Sequence, residues 1–517
     1  MAVLIQARKV MDSPLMSRAA MSSRILDNLK VGKLPLKAAT RRDLVTQAVR
    51  SDRAMLEKAF AGQIFYDTPS LKYEGPTSKN PLSYKLYNPD MMVDGKALRD
   101  HLKLCVAFWH AMNNDLSDPF GGGTLSRPWD NMYDPLAQAV VKLGGSFELM
   151  EKIGFPFWAF HDYDLISGDD TLKNMRTKLN FLTDIAKGLQ RSTGVKLGWT
   201  TNQLFVLPIY MEGAATAPKT WPFMRAVAQC KQTVKNAIKL GGKALVFWGG
   251  REGFINLVNT LTDVEKEHLA LFLKEVIAMA RKMGFEGEFW IEPKAFEPTM
   301  HQYDREIEVV QGFLIKYGLE NDIKINFEPN HGELALLSAE EQLDVAGMQL
   351  GSIDINCGEF GIGYDVDKFT DFMTALAVMR KVIELREKGG FTNGLMNIDA
   401  KLRRTSTDFP GDLFHGMIKT ADTLTAAFML AKLERKDHVV RDHVAQRYGD
   451  WQTAIGRAIT HGRFRGDFGS LADFALKNEG ALSCKLPSGS IEMLENRRDL
   501  ALFAAISGAF GTYGLGQ

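Results

Sequence analysis

Eight short apolar, β-like runs, the long amphipathic stretches between them, and steps of 26 to 51 residues from the end of one run to the next predict the fold class. Together they read as an α/β protein: a closed (β/α)8 barrel of the TIM type, with a short N-terminal extension and a C-terminal helical arm.

The runs are Leu104–Trp109, Phe155–Phe160, Val195–Trp199, Ala244–Trp248, Phe285–Glu292, Ile323–Glu328, Leu350–Asp354 and Leu395–Asp399. Their separation is what a strand, a helix and two loops require. Of the connecting stretches, Glu265–Lys282 is clearest, with Leu269, Phe272, Leu273, Val276, Ile277 and Ala280 along one face. Met283-Gly284 then supplies a helix stop. Beyond residue 405 the strand pattern ends and helical patterns such as Thr420–Leu433 and Trp451–Ile459 take over. The division expected is residues 1–62 as an extension, 63–435 as the barrel and 436–517 as a helical arm.

The 517 residues are 45% hydrophobic and 24% charged, which excludes wholesale disorder. No apolar run reaches the ~18 to 20 residues a membrane span needs, and the start lacks a secretory apolar stretch. Four cysteines, Cys105, Cys230, Cys357 and Cys484, lie far apart and form no Cys-x-x-Cys pair, arguing against a thiolate zinc site or a disulfide framework. A reducing, cytoplasmic compartment fits.

The net charge of +1 conceals an asymmetry. Residues 1–42 hold nine Lys/Arg against Asp12 and Asp27, so the remainder carries a net −6. An acidic body disfavours nucleic acid, whose phosphates demand a basic face. The basic start reads as an exposed arm, with an organelle transit segment as the alternative.

Active sites of such barrels lie at the C-terminal ends of the strands. The last four runs end in Glu292, Glu328, Asp354 and Asp399. Singly, each such carboxylate is more often a helix cap or a surface charge. Four converging in one mouth require cations to neutralise them. His331 follows Glu328 by three residues, and Asp365 and Asp367 lie in the loop after Asp354, so Glu328 is placed to bridge two hard divalent ions, Mg²⁺ or Mn²⁺, with Co²⁺ also suited to an imidazole-containing site. Six carboxylates, two divalent ions and Lys294, two residues past Glu292, sum to a formal −1. Gly121-Gly-Gly-Thr124 and Gly249-Gly250 match no phosphate-loop or dinucleotide pattern. Trp109, Phe120, Trp199 and Trp248, at or near strand ends, suit the walls of an apolar slot, while Trp158 reads as core.

At these positions the chain resembles the xylose isomerase family over residues 65–500. The matching blocks are Asp118-Pro-Phe-Gly-Gly-Gly-Thr124 with Arg127-Pro-Trp-Asp130, Phe160-His-Asp-Tyr-Asp164, Phe247-Trp-Gly-Gly-Arg-Glu-Gly253, Ile291-Glu-Pro-Lys294 with His301-Gln-Tyr-Asp304, Glu328-Pro-Asn-His331, and Gly351-Ser-Ile-Asp354. The resemblance implies Glu292, Glu328, Asp354 and Asp399 as ligands of one metal, and Glu328, His331, Asp365 and Asp367 as ligands of a second. His161 is similar to a ring-opening histidine and Asp164 to its orienting carboxylate. Trp199, Thr200 and Val246 resemble residues at the far end of a sugar slot, and Phe120 one that arrives from a neighbouring subunit. Around the second site the chain departs from the family pattern at Gly332-Glu-Leu-Ala-Leu-Leu337, Cys357, Tyr364 and Val366.

The function this implies is interconversion of D-xylose and D-xylulose, with D-glucose and D-fructose as slower partners, by metal-assisted ring opening and a 1,2-hydride shift polarised by Lys294. The arm after residue 435 resembles a segment that embraces a partner, implying a homotetramer or homodimer. The rival readings are a metal-dependent barrel hydrolase or nuclease, and an inactive relative retained as a metal-binding partner protein.

Overall fold

In the computed structural model, which describes residues 39–166, 171–482 and 488–513, eight parallel strands close into a barrel. They are β1 (Leu104–Ala107), β2 (Phe157–His161), β3 (Lys196–Thr201), β4 (Ala244–Phe247), β5 (Glu288–Ile291), β6 (Ile323–Phe327), β7 (Leu350–Asp354) and β8 (Met396–Ile398). Each pairs with its neighbour in sequence, and β8 closes onto β1 through Met396 opposite Leu104 and Ile398 opposite Val106. The barrel expectation is borne out, with each strand inside the run that predicted it or within a residue or two of its end.

Connecting helices carry ordinary stop and start signals. The first, α1 (Pro135–Ile153), begins with Pro135 in its first turn behind Asp134, whose side chain accepts from the Leu136 and Ala137 amides, and ends at Gly154 with φ +73°. The second, α2 (Leu172–Thr193), is capped by Thr171 and buries Met175, Leu179, Leu182, Ile185 and Leu189 along one face. The helix read from Glu265 starts at Thr262 and ends at Lys282, as its periodicity indicates.

Inside the barrel, Cys105, Phe157, Ala159, Trp199, Ala244, Val246, Trp290 and Leu395 form a packed cluster against which Trp109 rests. Trp290 fits because position 351 is glycine: a Cβ there would stand 2.6 Å from its indole. Above this floor, Gly253–Phe254 pairs antiparallel with His301–Gln302, tying the loop after β4 to the loop after β5.

Residues 1–38 of the expected extension lie outside the described residues, whereas Ala39–Ala61 is a helix. Asp52, Leu56, Ala59 and Phe60 on it are buried, and the Asp52 carboxylate accepts from the Tyr133 and Asp134 amides. Residues 52–60 are therefore packed structure, and a truncation past them forfeits roughly 1.5–3 kcal/mol for each large apolar side chain uncovered.

A second compact unit begins at Ala426. Within it, His438–Tyr448, Ala454–Thr460, Phe468–Lys477 and Ile491–Tyr513 are helices, and no strand occurs among its described residues. No helix among the described residues is long and apolar enough to cross a membrane.

Candidate active site

The carboxylates converge where the barrel rule places them. Asp354 is the last residue of β7, while Glu292, Glu328 and Asp399 each follow directly on β5, β6 and β8. Three sets of ligand atoms lie within 4.8 Å of one another: Glu292–Glu328–His331, Glu328–Asp365–Asp367 and Glu328–Asp354–Asp399. Glu328 is common to all three.

Burial, reinforced by the charges of Asp399, Asp365, Asp367 and Glu292, pushes the Glu328 carboxyl well above the usual carboxylate range. Burial, Glu292 and Asp399 do the same to Asp354. Such a cluster disfavours its own ionisation, and divalent cations relieve that repulsion. The His331 Nδ1–H faces the Pro293 carbonyl at 3.1 Å, which leaves Nε2 directed at Glu328 (3.2 Å) and Asp365 (3.4 Å) as a metal-ready lone pair. The oxygen-rich donor set with one imidazole fits two hard divalent ions.

Amide side chains hold the carboxylates apart. Asn326 donates to Glu292 (2.8 Å) and Asp354 (2.9 Å), Asn397 to Asp354 (3.0 Å), and Asn356 to Glu328 (2.6 Å) and to the Asp399 carbonyl (2.9 Å). The Asn330 amide donates to Asp365. Lys401 contacts Asp367 at 2.9 Å and adds a further positive charge beside the carboxylates. Asp367 itself sits at φ +42°, a conformation aspartate tolerates better than most residues.

His110 also enters the mouth, although the sequence reading missed it. Residues Trp109–Asn113 form a π-helical turn, and both Trp109 Nε1 (2.8 Å) and His110 Nε2 (2.9 Å) reach Asp399 Oδ1. Burial opposes a charge on His110, but Asp399 and Asp367 overcome it and raise its pKa to about 9.

Lys294 is buried, with Nζ 2.6 Å from Asp365, 2.9 Å from Glu297 and 5.3 Å from the centre of the Trp248 ring. Against the pull of burial, Asp365 and Glu297 hold it protonated. His161 Nδ1 lies 3.0 Å from Asp164 Oδ2, and its ring meets Trp109 edge-on at 4.5 Å. Phe205, also unforeseen, packs on Trp248 at 4.4 Å and faces His161 at 6.3 Å. Trp109, Trp248 and Phe205 thus line the mouth, while Trp199, 1% exposed, packs against Trp109 from within the barrel core.

Some expected positions lie apart. Thr200 alternates to the side of β3 opposite Trp199, and its hydroxyl donates to the Phe160 carbonyl. Val246 is sealed in the barrel core. Phe120 is 82% exposed and touches Tyr364, away from the aromatic wall within its own chain.

Asp304 lies behind the site with Oδ1 unpartnered, and burial plus the Glu252 charge push it up to about 7. Between its ordinary 3.8 and about 7 the unfolded chain releases a proton that the folded chain keeps, so this group lowers stability as pH rises through that window. Asp304→Asn should therefore gain on wild type from about pH 4 to 7, by up to roughly 1.4 kcal/mol per pH unit, and level off above. Denaturant unfolding at pH 5, 6 and 8 checks this; a difference independent of pH contradicts it.

An eight-stranded parallel barrel whose C-terminal mouth joins an acid–imidazole cluster to a buried lysine and aromatic side chains defines the class: a (β/α)8 protein with side chains at its mouth that could hold metal ions. No protein-family model matches the chain. It is 39% identical over 445 residues to a xylose isomerase of Thermoanaerobacter sp., covering 86% of this chain and all of that relative. It is also 39% identical over 437 residues to the xylose isomerase of Thermotoga maritima, covering 84% and 96%. Among solved structures, a D-psicose 3-epimerase from Clostridium cellulolyticum aligns with 64% of this chain and 99% of its own at 15% identity and a TM-score of 0.39. The chain belongs to the xylose isomerase family.

Proposed function

We propose that the protein is a sugar isomerase that interconverts D-xylose and D-xylulose, with D-glucose and D-fructose as slower substrates. The observation that carries this reading is the joint presence of Glu328 in three ligand sets, of Lys294 paired with Asp365 of one of those sets, and of the His161–Asp164 pair, with Lys294 and His161 both facing the Trp248 ring.

Asp164 accepts from both the His161 backbone amide (2.6 Å) and its ring, which fixes the imidazole with Nδ1 protonated and presents Nε2 to the sugar for ring opening. Glu292, Glu328, Asp354 and Asp399 would hold one divalent ion, and Glu328, His331, Asp365 and Asp367 the other. Divalent ions bound there would supply Lewis-acid polarisation of the sugar oxygens. Lys294 adds a fixed positive charge beside O1. The wall of Trp109, Phe205 and Trp248 keeps water from the carbon centres, which favours direct hydride transfer from C2 to C1 over exchange with solvent. Mg²⁺ is the proposed metal, with Mn²⁺ or Co²⁺ as substitutes, and the working form is a homotetramer or homodimer to which Phe120, exposed on its own chain, contributes. The proposed location is the cytoplasm.

The test is a ketose assay on purified protein with D-xylose and Mg²⁺, Mn²⁺ or Co²⁺. Metal-dependent formation of xylulose supports the reading; no turnover with any of the three overturns it. The same assay carries a pH prediction. Asp365 and Glu292 raise the His331 pKa against the effect of burial, so protons compete with metal for Nε2. At limiting metal, activity should already begin to fall above the ordinary imidazole value of roughly 6.5 as pH is lowered, and recover with added metal; a profile flat from about pH 5 to 8 at limiting metal argues against His331 as a ligand.

A further inference from the structure

Behind the His161–Asp164 pair, a chain of side chains runs outward that the proposed reaction does not yet use. Lys142, on α1, donates to Asn113 Oδ1 at 3.0 Å. Asn113, the last residue of the π-helical turn, turns its Nδ2 to the Asp164 carbonyl (3.1 Å) and Asp164 Oδ1 (3.4 Å). Gln203 Nε2 reaches the same Oδ1 at 3.2 Å.

The direction of this chain is set by chemistry. An ammonium has donors and no acceptor, so Lys142 dictates which end of the Asn113 amide faces it. Nδ2 must then point at Asp164. Two amides on Oδ1 leave Oδ2 for the His161 ring. Without Lys142 the Asn113 oxygen loses its donor, so the amide is held at the Asp164 end alone and its grip on Oδ1 loosens.

We propose that Lys142 is a positioning residue for sugar-ring opening, acting through Asn113 and Asp164 to hold the His161 ring and its tautomer. This rests on the role given above to His161. It places Lys142, more than one residue removed from any reacting atom, among the determinants of the first chemical step while leaving the hydride step and the metal ligands untouched. The Lys142 side chain also lines a cavity of about 440 Å³ together with Asn113, Asp164 and Gln203, so methionine is accommodated there without overpacking.

The experiment compares wild type, Lys142→Met and Asn113→Leu on D-xylose and on D-xylose deuterated at C2, with Mn²⁺ affinity measured by titration calorimetry. Both variants should lose about 10- to 100-fold in kcat/KM. The deuterium isotope effect on kcat/KM should shrink toward unity, because ring opening, which breaks no C2–H bond, becomes limiting. Mn²⁺ affinity should stay at the wild-type value. In an Asp164→Asn background, Lys142→Met should add little further loss, since both act through one carboxylate. Normal kcat/KM in both variants, or a loss that keeps or enlarges the isotope effect or weakens Mn²⁺ binding, overturns the proposal while leaving the isomerase reading standing. A wild-type chain that does not turn over D-xylose at all overturns both.

Discussion

Glu328→Gln should abolish turnover and weaken both metal sites at once. Glu328 belongs to every ligand set in the mouth, and Asn356 pins its Oε1, so glutamine keeps the shape while removing the shared negative charge. Each ion should lose at least roughly 10- to 100-fold in affinity, more than a change confined to one set can impose on the other. The metal-free protein should respond in the opposite sense. The folded chain raises the Glu328 pKa well above its ordinary 4.5, so wild type keeps a proton that the unfolded chain sheds, and stability falls as pH climbs above about 4.5. Glutamine carries no such penalty, so metal-free Glu328→Gln should melt higher than metal-free wild type at pH 8. Calorimetric titration with Mn²⁺ and thermal melts in chelator measure the two effects. Retention of two tightly held ions contradicts the bridging role.

Lys294→Met should lower kcat by about 10²- to 10³-fold, the usual cost of removing one preorganised charge from a developing oxyanion. The ammonium is buried and already paired with Asp365 and Glu297, so its loss also leaves Asp365 short of positive charge. Metal affinity should therefore hold or rise while turnover collapses, a combination that a merely misfolded variant does not produce. Steady-state kinetics at saturating metal together with Mn²⁺ titration separate the two, and kcat within about threefold of wild type refutes the role assigned to Lys294.

How far the sequence reached is set by which interactions follow strand periodicity. The eight runs marked the strands because a parallel barrel buries both faces and reads as continuous apolar stretches. The strand-end carboxylates followed from the barrel rule alone. Asn326 and Asn397 were within reach of the same reasoning: each stands two residues before a candidate ligand, Glu328 and Asp399, and period two puts both on one inner face.

His110 was beyond it. A strand running through Trp109 would point His110 away from Trp109, but β1 stops at Ala107 and the π-helical turn brings both to Asp399. The same turn places Asn113 against Asp164, a contact between residues 51 apart in sequence that no local pattern announces. Phe205 was hidden because it lies in a loop beyond β3, where position depends on how the chain is tied down. Thr200 and Val246 mark the same limit, since adjacency to a strand-end aromatic does not decide which side of the wall a side chain faces, or how deep.

The proposed reaction is a hydride shift between C1 and C2 of one sugar, shielded from water. Its most direct measurement is NMR of the product formed from D-xylose deuterated at C2, incubated with the protein and Mg²⁺ in ordinary water. The account predicts xylulose carrying the deuterium at C1. Xylulose with protium at C1, its label lost to solvent, or a labelled aldose inverted elsewhere in the ring with no ketose formed, would contradict it.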